Sequence, residues 1–394
     1  MFNKSLKKYS FIFSLFFLFT GCMQTSQDKT FYSDAFTSGK YQKKTWTIMV
    51  YMNGDNSLHD YTYFDINELE GVDLEDEINI IVLWDRSGAY TKLLKIKYDP
   101  NNTSDIVSEY LTATIGGYNI VQNISNTEVN MLSASTLSDF VDFGKTNYPT
   151  DYYALILWGH ADGYKSTVKG MDDDTDNGLS SGYLANDLIA QTLSTKNLTV
   201  VAFDACIQGT LETLWSFKKN GLTSLFIASP NLVPGTGWNY KKFLTRFKDS
   251  YRRPLDYTLT AVLSYQETYS QTSNVSLNVY DLNNLDISSS SQGSLQDFIT
   301  WSNNSANKTA QKTLFTSDSI PTLDNSFKDF YEFIKQSSYP YKETLIASLN
   351  QVVIQGWRNG KTEYRSIGIN SNQYLGGYSG IEFSADTEWN EFLQ

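Results

Sequence analysis

Continuous apolar runs alternate along this chain with segments of helical spacing. TWTIMVYM (45–52) precedes a helical pattern over 56–70, and INIIVLW (78–84) follows it. Leu137, Phe140 and Val141 share one face of a predicted helix at 135–144, after which come YYALILW (152–158) and LTVVAF (198–203). Runs this apolar predict strands buried on both faces, and the βαβα rhythm predicts a parallel sheet covered by helices on both sides. Beyond Cys206, Ile207, Leu211, Leu214 and Trp215 repeat at helical spacing, so the thiol is expected at a strand-to-helix junction with a helix starting just behind it. SLFIAS (224–229) predicts a further strand, DYTLTAVLSYQETY (256–269) a helix, VSLNVYDL (275–282) a strand, and SSSSQGS (288–294) a loop before another helix.

The start of the chain departs from this rhythm. Lys4, Lys7 and Lys8 precede FIFSLFFLFT, which is too short to span a bilayer as a helix but has the length of a signal-peptide core, so residues 1–21 predict export. The following LFTGCMQ resembles the lipobox of bacterial lipoproteins, which implies a diacylated Cys22 and a bacterial cell-envelope location on a lipid anchor. Residues 22–43 then read as a lipidated, polar tether, and 44–394 as the folded body with a C-terminal extension. No later stretch is long and apolar enough to cross a membrane.

Composition sharpens the picture at two points. With 394 residues and 41% hydrophobic content the chain can bury a sizeable core, and a net charge of −12, with three of its lysines in the leader, argues against nucleic acid or anionic lipid headgroups as partners. The chain has only two cysteines, so a lipidated Cys22 leaves Cys206 as the single thiol and excludes an intramolecular disulfide.

There are also only two histidines, His59 and His160. His160 follows YYALILWG and Cys206 follows LTVVAFDA, so both fall just past the carboxyl ends of strands expected to be neighbours, the edge at which open α/β sheets bind ligands. A histidine within reach of a thiol can take its proton and later deliver one to a leaving amine. Pattern alone leaves Cys206 equally readable as a nucleophile or as a small buried apolar residue. His59 is the rival base, but in NGDNSLHD either Asn56 or Ser57 is expected to cap a helix, placing His59 in its first turn as a solvated side chain.

WGHADGYK, VVAFDACIQG and TWTIMVYMNGDNSL, with ASPNLVPGTGWNY (228–240), SLNVYDLNNL (276–285) and GIEFSADTEWNEFL (380–393), resemble the clostripain family of cysteine peptidases, relatives of caspases, gingipains and legumain. The resemblance implies a caspase-like α/β/α sandwich with a mostly parallel central sheet. It implies Cys206 as nucleophile, His160 as acid/base, and an oxyanion site formed by the backbone N–H groups of Ala161 and Cys206. Ala161 stands where the family usually has glycine. Asp204 matches the family acid at the base of the pocket that takes Arg or Lys, so protein or peptide substrates with basic residues are the expected partners; as an alternative role, Asp204 can cap the following helix. Asn231 and Val233 stand where many relatives carry acids. Lys165 and Lys169 are the basic residues placed for self-cleavage.

No cofactor is expected. The acidic run Asp172, Asp173, Asp174 and Asp176 raises calcium as a candidate ligand, but Tyr183 occupies the twelfth position, where an EF-hand loop has Glu, and the run reads as a solvated turn. Two functions follow from these residues: an endopeptidase cleaving after Arg or Lys, or a surface protein that keeps the peptidase fold and binds without turnover.

Overall fold

A nine-stranded sheet organises the chain. Its strands are β1 (Trp46–Gly54), β2 (Ile78–Arg86), β3 (Ala89–Lys95), β4 (Glu109–Tyr110), β5 (Tyr152–Trp158), β6 (Val200–Asp204), β7 (Leu225–Ala228), β8 (Ser276–Asp281) and β9 (Val353–Arg358). Their spatial order is β9-β8-β7-β6-β5-β1-β2-β3-β4. The central five, from β7 through β6, β5 and β1 to β2, run parallel, and the flanking strands are antiparallel. The computed structural model describes residues 45–394 except 75–76, 88, 122–126, 164–170, 173–181, 223, 325, 360–363 and 373–377. The leader, Cys22, the tether, Lys165, Lys169, Asp173, Asp174 and Asp176 therefore lie outside the described residues.

Strand periodicity divides the core in two, because successive side chains of a strand point to opposite faces. Ile48, Val50, Met52, Ile156, Val200 and Ala202 meet α1 (His59–Glu70), α5 (Tyr240–Asp249) and α6 (Pro254–Tyr269) through Ile66, Phe243, Phe247, Tyr257 and Tyr265. On the other face Met49, Tyr51, Leu155, Leu157, Val201 and Phe203 meet α2 (Ala134–Asn147), α3 (Asn186–Leu193) and α4 (Leu211–Lys219) through Leu137, Phe140, Ile189, Leu211 and Leu214. The result is a mixed three-layer α/β/α sandwich, as predicted. Later segments, including Phe298, Phe330, Phe333, Trp389 and Phe392, join the second core. No helix among the described residues is long and apolar enough to cross a membrane.

Two local predictions change. The helix expected over 56–70 begins at His59 with Leu58 at the N-cap position and no side-chain cap, so neither Asn56 nor Ser57 caps it. The helix expected directly behind Cys206 begins only at Leu211, capped by Thr210. The intervening backbone is committed elsewhere. Ile207 N–H donates to Asn231 O at 3.0 Å, Gly209 N–H to Ser229 O at 2.8 Å, and Gly368 N–H to Gly209 O at 2.9 Å. Each bond replaces one that a helix would make, and Ile207 takes φ = 55°, a conformation costly for a β-branched residue.

Candidate active site

The parallel pairing of β5 and β6 sets the geometry of the site. Trp158 lies opposite Asp204, and His160 and Cys206 each follow two residues later. Adjacent strands are about 4.8 Å apart, so the pairing delivers imidazole and thiol to one sheet edge from neighbouring strands. The carboxyl end of β1 joins them there, on the other side of β5.

The histidine loop rests on that end of β1. Gly159 has φ = 142°, and a Cβ on it would stand 2.7 Å from Asn53 O, so only glycine fits this crossing. Ala161 is buried and is not among the residues with positive φ, so its side chain brings no left-handed backbone strain. His160 Nε2 lies 2.8 Å from Ser57 Oγ. His59, the rival base, points to Asp60 at 3.5 Å with its side chain 42% exposed, as a solvated first-turn residue does.

Cys206 is half-buried. Val233 N–H faces its sulfur at 3.3 Å, and the thiol faces Val233 O at 3.7 Å. An amide N–H directed at sulfur favours negative charge there. The positive end of a helix does not supply this, because α4 starts five positions further on. Asn231 is consumed by structure: its carbonyl accepts from Ile207, its side-chain amide donates to Leu323 O at 3.2 Å, and its Oδ1 accepts from Ser276 at 2.6 Å.

Asp204, the last residue of β6, shares a face with Val200 and Ala202 and points toward α1, α5 and α6. It does not cap α4. Its Oδ2 accepts from Trp238 N–H and from Tyr240 O–H, both at 2.9 Å, while its Oδ1 is buried with no hydrogen-bond partner among the described residues. Gly237 permits the approach: with φ = 55°, it carries no Cβ, and one would stand 2.7 Å from Asp204 Oδ2. Burial pushes the carboxyl up to about 7 against the two hydrogen bonds that oppose the shift. Asp65, which accepts from Trp158 Nε1 at 2.6 Å, is raised by burial and then by Asp204, and Glu68, which accepts from Tyr240 N–H at 2.7 Å, is raised by burial. Tyr265 adds a buried hydroxyl with no partner among the described residues, its phenol raised by burial and then by Tyr269, Asp204 and Cys206. Acids therefore converge under this edge of the sheet.

Among the described residues one group of carboxylates is close enough to share a metal ion: Asp55, Asp85 and Glu128 offer oxygens within 4.8 Å of one another. Thr91 O–H donates to Asp85 at 2.9 Å. The sequence gives no sign of this group or of the roles of Trp238 and Tyr240, and it suggests only a cap for Ser57, because each acts on a partner far along the chain.

A histidine and a cysteine at the carboxyl edge of adjacent parallel strands, within an α/β/α sandwich, define a caspase-like scaffold. The chain belongs to the clostripain family, whose model matches residues 50–393. Clostripain of Hathewaya histolytica is 29% identical over 237 residues, which span 54% of this chain but only 44% of that relative, less than half its length. Two solved structures share the fold: an inactive zymogen C11 protease from Parabacteroides distasonis, and a secreted C11 cysteine protease from Bacteroides thetaiotaomicron in complex with an irreversible peptide inhibitor. Each has a TM-score of 0.64 and 18% identity, covering 88% of this chain and 99% of its own.

Proposed function

We propose that this protein is a cysteine endopeptidase that cleaves after Arg or Lys, exported and held at the bacterial envelope by a lipid on Cys22. The observation that carries the reading is the β5–β6 register, which brings His160 and Cys206 to the same edge. In the reaction His160 takes the thiol proton and the thiolate adds to the scissile carbonyl. The backbone N–H groups of Ala161 and Cys206 stabilise the oxyanion. The tetrahedral adduct expels the amine, which receives the proton from His160, and water, deprotonated by the same imidazole, then cleaves the thioester.

Asp204 supports the basic preference. A buried carboxyl with one oxygen unpartnered among the described residues, beside other acids and beneath a glycine, is matched by a guanidinium or ammonium group. A panel of reporter peptides that differ only at the cleaved residue tests this. Arg and Lys reporters are expected to turn over at least about a hundredfold faster than Ala or Asp reporters; equal rates across the panel would refute the preference.

A further inference from the structure

We propose that Ser57 is a positioning residue that fixes which nitrogen of His160 carries its proton. The inference rests on the assignment of His160 as acid/base. Ser57 lies in the loop between β1 and α1, where its hydroxyl caps nothing and instead sits 2.8 Å from His160 Nε2.

Both partners are held by rigid backbone. On the serine side, the buried Asn56 donates to Asn53 O at 3.1 Å and accepts from Leu58 N–H at 2.9 Å, and its carbonyl accepts from His59 N–H at 3.1 Å. On the histidine side, Gly159 crosses the same residue, Asn53, at a distance that leaves no room for a side chain. The loops bearing hydroxyl and imidazole are thus packed on one anchor.

The chemistry follows from the two ring nitrogens. Nε2 faces Ser57, so Nδ1 is the nitrogen left to take the proton of Cys206. In the neutral ring Nδ1 has a free lone pair only if the proton resides on Nε2, and that Nε2–H then donates to Ser57 Oγ. When the thiol proton moves to Nδ1, the resulting imidazolium keeps the same Nε2–H bond, so the ring does not turn during the reaction. Ser57 touches neither substrate nor sulfur in this scheme.

Proton-coupled nitrogen NMR on the full chain, with labelled histidine, reads the tautomer directly. The chain has two histidines, and a His59→Gln variant assigns their signals. At mildly alkaline pH His160 is expected as the Nε2–H tautomer, and Ser57→Ala is expected to mix in the Nδ1–H form. On an Arg reporter, Ser57→Ala lowers kcat about tenfold with KM within about twofold and an unchanged melting midpoint, and Ser57→Thr, which restores the acceptor, recovers most of the loss. An Nδ1–H tautomer in the wild-type protein, or an unchanged kcat in Ser57→Ala, would overturn the proposal. A wild-type chain with the Nε2–H tautomer but no turnover would instead overturn the peptidase reading, since the tautomer is measured without substrate.

Discussion

Cys206→Ala is expected to lower turnover of an Arg reporter peptide by about three orders of magnitude or more, because no other thiol of the folded body can form the acyl-enzyme. The same change should leave stability nearly unaltered. Cys206 is half-buried, and the backbone bonds of Ile207 and Gly209, which also hold its loop, do not involve the sulfur. Steady-state kinetics beside a thermal melt separates the two effects. Undiminished turnover in a folded Cys206→Ala protein would remove the nucleophile from the account.

Asp204→Asn carries the second large effect, and it has two readouts. On Arg and Lys reporters kcat/KM should fall about a hundredfold, the loss expected when a buried charge-assisted pair becomes a neutral contact. Ala reporters, already slow, should change little. The second readout is stability against pH. The Asp204 carboxyl, which ordinarily releases its proton near 3.8, holds it to about 7 in the folded chain. Between those values the folded state binds more protons than the unfolded one, so stability is fullest at acid pH and is lost as pH rises through about 7. Asparagine does not titrate, so the fall in melting midpoint between about pH 4 and about pH 8 should shrink in the variant. Glu212, buried and raised to about 7, Asp329, buried and raised to about 6, and the raised carboxyls of Asp65 and Glu68 contribute to the slope that remains. An unchanged slope together with unchanged selectivity would show that Asp204 neither titrates nor reads the substrate.

What the sequence made legible divides along a physical line. The central strands were readable because burial on both faces demands continuous apolar runs, and these appear in β1, β2, β5 and β6 with little ambiguity. Of the flanking antiparallel strands, β8 was readable in VSLNVYDL, whereas β4 has two residues, too few to carry a period. Helical spacing after Cys206 was misleading, since Ile207 fits it by residue type but is held in a left-handed conformation by its bond to Asn231. Ser57 has the composition of a cap, yet its hydroxyl is taken by an imidazole 103 positions away. Trp238 and Tyr240 reach Asp204 across separations of 34 and 36 residues. Local pattern carries none of these pairings, and they make up most of the surroundings of the site.

Covalent labelling shows whether Cys206 attacks substrates recognised by a basic side chain. The wild-type protein would be incubated with a short peptide that ends in Arg and carries a thiol-reactive group, then digested and analysed by mass spectrometry. A single adduct is expected, on Cys206, formed much faster than with an Asp-ended analogue and slowed by His160→Ala. A Cys206 that stays unmodified while the protein still binds the peptide, or that reacts at equal rates with both reagents, would contradict that expectation.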